Sequence, residues 1–283
     1  MDNKFTFDYR GRKIGYWRYG RPEKPVIVAL HGFRGTHHGL LDIIKYLGDD
    51  FEIFVPDLPG FGASQTLPNG EKHNADNYAK FAAEFAHFVS KETGQEKVIA
   101  FGHSFGTLIA ARLVCNQPKL FSKLILAAPI SKAAKTHASA SVGRIFFDIG
   151  RVLPGALGER WLAAKFATMA MSITMVKSHD KVLRKSIHAK HLAHFSDFAT
   201  RQILLEAFES SYRDDILSLA KQIKIPTLII SGKLDSIAPY KEAIQLAEKI
   251  PDAELDTIEN VGHIMHHETP HEVTRLIKNF VQK

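Results

Sequence analysis

Lys97-Val98-Ile99-Ala100-Phe101-Gly102-His103-Ser104-Phe105-Gly106 joins an apolar run to a glycine-flanked serine. Val98 to Phe101 have the continuous hydrophobicity of a strand buried on both faces, and Thr107 to Val114 read as a helix. Between them stands the spacing G-x-S-x-G, with Gly102 and Gly106 flanking the junction. At a strand-to-helix turn, glycines there let backbone segments pass closely while the central side chain projects outward. Ser104 is thus the candidate nucleophile.

The chain on either side repeats the same alternation. Lys4 to Asp8 and Lys13 to Tyr19 alternate in strand fashion around Arg10-Gly11-Arg12, a predicted hairpin. Pro25 to Leu30 is a fully apolar strand that ends in His31-Gly32-Phe33-Arg34-Gly35, ahead of the helical pattern Leu40, Leu41, Ile43, Ile44, Leu47. Phe51 to Val55 is the next strand, followed by a Pro/Gly turn series in which Asp57 reads as a turn-forming carboxylate. Tyr78, Phe81, Ala82, Phe85, Phe88 and Val89 place an amphipathic helix over residues 75–92, and Lys123 to Ile130 read as a further buried strand. After a helical interval, strands resume at Ile225 to Ile230 and at Glu254 to Ile258. The expected fold class is α/β, a mostly parallel, doubly wound sheet of about eight strands with ligands bound at the strands' carboxyl ends. Residues 131–215 carry helical patterning without a convincing strand, so they are expected to form a helical cap inserted in a core built from 1–130 and 216–283.

Composition narrows the function classes. A chain of 283 residues with 45% hydrophobic content buries a large core. Met1 to Asp8 show no apolar leader, and Trp161 to Val176, the most apolar long stretch, is interrupted by Lys165 and short for a membrane span. A cytoplasmic location without stable membrane insertion is the expectation. The single cysteine, Cys115, lies among Leu113 and Val114 and reads as a core residue. The net charge of +7 comes with no nucleic-acid motif, so the expected partner is a small molecule and not a nucleic acid. Residues 131–215 hold 13 Lys and Arg against 8 Asp and Glu, which concentrates the positive charge on the expected cap. Oligomeric state has no signature in the sequence.

Gly102-His103-Ser104-Phe105-Gly106 resembles the nucleophile elbow of the α/β-hydrolase superfamily. The likeness extends over nearly the whole chain. Gly232-Lys233-Leu234-Asp235-Ser236-Ile237-Ala238-Pro239 looks like the superfamily's acid-bearing loop, and Gly262 to Pro270 look like its histidine loop. The resemblance implies a Ser104, His263, Asp235 triad in the chain order of that fold, with His266 and His267 as rivals for the base. It also implies that His31-Gly32-Phe33 is the oxyanion loop, its Phe33 amide acting with that of Phe105. Thr107 departs from the family pattern, in which many members have another glycine.

A serine hydrolase acting on a carboxylic ester, lactone or thioester through an acyl-enzyme is what the likeness implies, with no cofactor and no metal. Serine at position 104 sets it apart from dehalogenases and epoxide hydrolases of the same fold, whose nucleophile is aspartate. Carbon–carbon bond hydrolases, hydroxynitrile lyases, perhydrolases, amidases and a slow-turnover ligand receptor share the triad and remain alternatives. Substrate-binding candidates are Phe33 and His103 from the core loops and Trp161, Met169 and Met175 from the cap. His188, His191 and His194 are three apart on a basic stretch, and two of them could share a metal, although a solvated basic face is the plainer reading.

Overall fold

The N-terminal hairpin of β1 (Lys4–Tyr9) and β2 (Arg12–Gly20) turns through Arg10 and Gly11, both at positive φ (+52° and +79°). Two successive left-handed residues give the turn whose twist matches that of paired strands. The computed structural model describes residues 4–137 and 140–283; Met1 to Asn3, at the start expected to lack an apolar leader, and residues 138–139 of the expected cap lie outside these. Beyond the hairpin come β3 (Val26–Leu30), α1 (Leu41–Leu47), β4 (Glu52–Pro56), α2 (Ala75–Thr93), β5 (Val98–His103), α3 (Phe105–Asn116) and β6 (Phe121–Ala127). Helices α4 (Ala140–Val152), α5 (Gly155–Leu162), α6 (Lys165–Met175), α7 (Lys181–His194) and α8 (Arg201–Arg213) follow. The sheet resumes with β7 (Thr227–Gly232), α9 (Tyr240–Lys249), β8 (Ala253–Ile258), α10 (Met265–Glu268) and α11 (Pro270–Gln282).

All eight strands form one sheet in the order β1-β2-β4-β3-β5-β6-β7-β8. The pairs β1/β2 and β2/β4 are antiparallel, and every other pair is parallel. The chain leaves β3 first toward β4 and later toward β5, so the crossovers diverge on either side of it. A crevice opens at the carboxyl ends of such diverging strands, here β3 and β5.

Alternation along the central strands divides the core between two faces. Val28 and Leu30 pack with Phe54, Ala100 and the buried stripe Tyr78, Phe81, Phe85 and Val89 of α2. Their neighbours Ile27 and Ala29 face the opposite side, against Ile43 and Leu47 of α1 and Val273, Ile277 and Phe280 of α11. Helix α2 starts where the Asn74 side chain accepts the Asn77 N–H (2.9 Å) and stops at Gly94, which is left-handed at φ +69°.

Strand ends differ from the sequence expectation where proline or a special backbone angle intervenes. β6 stops at Ala127 because Ala128 turns at φ +49° and Pro129 has no N–H for a ladder. β7 begins only after Pro226 and continues through Gly232. α3 starts at Phe105, directly after the serine.

Between β6 and β7 the described residues form helices and no strand of the sheet. This segment is fastened to the loop after β4, where the Gly62 N–H donates to Asp197 O (3.0 Å) and the Ala199 N–H to Gly60 O (2.9 Å). No helix among the described residues is long and apolar enough to cross a membrane.

Phe85 is wholly buried and meets Phe7 and Tyr16 edge-on, each at 5.4 Å. Phe85→Ala is expected to lower the unfolding free energy by about 3–5 kcal/mol. Urea denaturation checks this through a lower midpoint with an unchanged slope.

Candidate active site

Three strand ends converge on one point. β5 delivers Ser104, β7 delivers Asp235, and β8 delivers His263. Ser104 itself sits at φ +52°, ψ −118°, outside the regions that a non-glycine residue ordinarily occupies. Its N–H donates to Ala127 O (3.0 Å) on the neighbouring strand, and its carbonyl accepts from the Thr107 N–H (2.9 Å) and hydroxyl (2.5 Å). Thr107 Oγ1 in turn accepts the Ile130 N–H (3.2 Å). The threonine that departs from the family pattern thereby ties the turn to the end of β6.

A hydrogen-bonded relay runs outward from the serine. Ser104 Oγ lies 2.7 Å from His263 Nε2, and His263 Nδ1 lies 2.8 Å from Asp235 Oδ2. With Nδ1–H given to the carboxylate, Nε2 is left as the acceptor for the hydroxyl. Asp235 Oδ1 is engaged by the N–H groups of Ile237 (2.8 Å) and Ala238 (2.9 Å), which fix the carboxylate plane. All three side chains are buried. Neither rival imidazole meets Ser104: His266 packs on the His103 ring with centroids 3.9 Å apart, and His267 Nδ1 donates to Asp42 (2.6 Å).

The loop after β3 closes over the serine. A β carbon on Gly32 would lie 3.3 Å from Ser104 Cβ and 3.1 Å from His103 Nδ1, so the Gly32-Phe33 backbone runs alongside the nucleophile. Phe105 is the first residue of α3, where helix amides have no partner within the helix and favour negative charge. Two further residues of the loop do work that the sequence does not announce. His31 donates Nδ1–H to Gly32 O (2.9 Å) and accepts the Leu58 N–H at Nε2 (2.9 Å), and burial holds it below the ordinary histidine pKa as a neutral ring. Arg34 is left-handed at φ +61° and 1% exposed. It donates from Nε to Phe195 O (2.8 Å) and from Nη2 to Leu162 O (2.9 Å), joining the loop to the helical segment; burial draws its pKa down to about 10. Asp57, on the loop after β4, accepts the N–H (2.7 Å) and Nδ1–H (2.9 Å) of His37 and the Ala63 N–H (2.9 Å), none of which belongs to the relay.

A cavity of about 140 Å³ opens beside the serine. Of the five substrate-binding candidates, Phe33, His103 and Met175 line it, and Trp161 and Met169 do not. Met171 and Met175 lie one turn apart on the cavity side of α6, whereas Met169 is about 200° around the helix from Met171. Met169 accordingly lines an outer groove with Lys181, Arg184, Lys185 and His188. Trp161 is turned inward within the helical segment, its indole N–H on Phe146 O (2.9 Å) and its ring stacked on Phe146 (5.4 Å). Of the three spaced histidines, two converge on one hydroxyl and the third points elsewhere. His188 and His191 both place Nδ1 on Ser172 Oγ (2.6 and 2.7 Å), and His194 stacks on His38 (3.9 Å). Among the described residues no group of three or more His, Cys, Asp or Glu side chains is placed to hold a metal.

The α/β hydrolase fold family matches residues 25–270. The chain belongs to this family and is a hydrolase of the α/β-hydrolase superfamily. It is 24% identical over 280 residues to the uncharacterised hydrolase YugF of Bacillus subtilis, covering 99% of this chain and 97% of that protein. It is 23% identical over 291 residues to monoacylglycerol lipase ABHD6 of Homo sapiens, covering 99% of this chain and 80% of that one. Its fold is shared with an esterase from Exiguobacterium antarcticum at TM-score 0.76 and 20% identity, with 100% of both chains covered.

Burial, followed by the charge of His263, depresses the His103 pKa from 6.5 to about 3, and burial also takes His191 to about 3. In the unfolded chain these rings bind protons first, so the stability they contribute is complete above pH 6.5 and is lost as pH falls toward 3. The melting temperature is expected to drop between about pH 7 and about pH 4, more gently in His103→Gln. Thermal scans across that range check it; a slope unchanged in the variant contradicts it.

Proposed function

We propose that the protein is a serine hydrolase that cleaves a carboxylic ester, lactone or thioester through an acyl-enzyme. The observation that carries this reading is the buried relay Ser104–His263–Asp235, with contacts of 2.7 and 2.8 Å, at the edge of the cavity. His263 takes the Ser104 proton as the hydroxyl attacks the carbonyl, and Asp235 holds the imidazole in the required tautomer and stabilises the imidazolium. The amides of Phe33 and Phe105 receive the oxyanion. His263 then protonates the leaving group and activates the water that releases the acid. The likeness to a monoacylglycerol lipase and an esterase supports an ester as substrate.

In this reading residues 131–215 form a cap over a core of 1–130 and 216–283. Met171, Met175 and Phe195 from that segment line the cavity together with Ser104, excluding water and shaping the space for the acyl or alcohol group.

Ser104→Ala is expected to lose on the order of 10⁶ in rate and all labelling by a fluorophosphonate, and Asp235→Asn to lose roughly 10⁴. A p-nitrophenyl ester series from acetate to long acyl chains, run on the parent and both variants, tests this. Turnover by Ser104→Ala near that of the parent refutes the mechanism.

A further inference from the structure

Among the described residues, eight of the ten large hydrophobic side chains left exposed lie between positions 142 and 182, on the helices between β6 and β7. Apolar groups scattered singly over a surface are ordinary, but two of these stand together on α6. Phe166 and Ile173 are 61% and 54% exposed, and with Met169 they fall within about 60° around the helix axis. Met171 and Met175 occupy the opposite side and line the cavity beside Ser104. Helix α6 is therefore apolar toward the site and apolar again toward solvent.

Met169 opens onto the outer groove, whose other wall is α7. That wall is cationic. Lys181, Arg184, Lys185 and His188 stand at i, i+3, i+4 and i+7, on one face of the helix, and all four line the groove. Among the described residues no carboxylate pairs with Lys181, Arg184 or Lys185. Asp180, next in the chain, is taken up as the cap of α7 by the N–H groups of Val182 (2.7 Å) and Leu183 (3.1 Å). Lys181 opens the helix, where the dipole disfavours a cation, and Lys185 repeats its charge one turn on. In water alone this arrangement weakens α7, and an anionic partner reverses the effect. Val182, beside Lys181, is 80% exposed.

We infer that this face of α6 and α7 docks reversibly on an anionic lipid surface. Lys181, Arg184 and Lys185 meet the headgroup phosphates, and Phe166, Ile173 and Val182 enter the acyl boundary beneath them. Charge complementarity sets the sign of the partner, since residues 131–215 hold 13 Lys and Arg against 8 Asp and Glu. The form of the apolar part sets its kind. These side chains project from separate turns of two helices, so a rigid protein surface needs a matching pocket for each, whereas lipid conforms to them. The inference stands apart from the hydrolase reading; a docked molecule holds α6 with lipid on one side and the cavity on the other.

Flotation of the intact protein with liposomes tests this without any substrate. The parent is expected to float with phosphatidylcholine vesicles containing about one-third phosphatidylglycerol and to stay behind with pure phosphatidylcholine. Raising salt from about 0.1 M to about 0.5 M is expected to release it. Replacing Lys181, Arg184 and Lys185 together by Gln is expected to weaken partitioning about a hundredfold. Phe166→Ser combined with Ile173→Ser, which leaves the charge alone, is expected to weaken it about tenfold or more. Ser104→Ala is expected to float as the parent does, which keeps this result apart from the fate of the hydrolase mechanism. All the exchanged surface side chains are exposed, and the comparison of vesicles on the parent decides the matter even where a variant does not fold. Equal flotation with both vesicles, flotation with neither, or flotation fully kept by either surface variant overturns the inference. Retention on polyglutamate that anionic vesicles cannot displace assigns the face to an acidic protein and overturns it as well.

Discussion

Backbone contact at one junction constrains everything around the site. A β carbon on Gly106 would lie 2.2 Å from Leu30 O, and one on Gly102 would lie 2.4 Å from Gly106 O. No side chain fits between the end of β3, the end of β5 and the start of α3, so these elements meet main chain to main chain. The chain leaves β5 and enters α3 within a single residue, and that residue, Ser104, is forced to φ +52°. The unfavourable angle is sustained by the ladders and helix on either side of it. One rigid junction therefore fixes the serine, the first amide of α3 and the loop after β3 together.

The relay needs partners from distant parts of the chain, and the parallel sheet supplies them. His263 is 159 residues from Ser104 and 28 from Asp235, yet each pair is in hydrogen-bond contact. Because β5, β6, β7 and β8 are all parallel, their carboxyl ends lie on one edge, and a residue just past each strand reaches the same crevice. Burial then makes each hydrogen bond matter, since the surrounding groups have little water to fall back on. Asp235 shows this: one oxygen is satisfied by two backbone amides, so the other is committed to His263.

What was legible in the sequence was whatever depended on local periodicity and turn chemistry. The apolar strands, the α2 stripe and the glycine-flanked serine follow from spacing alone, whereas Asp235 and His263 were singled out by the resemblance of their loops to those of the superfamily. Boundaries moved where proline or a left-handed residue intervened, as at Ala128 and Pro226. The helical segment was less readable because rotation of a helix about its axis is set by what it packs on. Met169, Met171 and Met175 are equivalent by composition, and only packing puts the latter two on the cavity. Arg34 and the partners of His191 depend on contacts across more than a hundred residues or between separate helices, which no local pattern encodes. Thr107 carried a weak signal: a hydroxyl one turn after the serine, placed to bond back to the turn's carbonyl.

The buried guanidinium of Arg34 grips the carbonyls of Leu162 and Phe195. A carbonyl is contributed by every amino acid, so this fastening recognises the path of the chain and is indifferent to the residues strung along it. Position 195 can change its side chain, and with it the wall that faces His191, while the clasp stays closed. Attachment is written in the main chain and selectivity in the side chains, which leaves the two free to diverge separately.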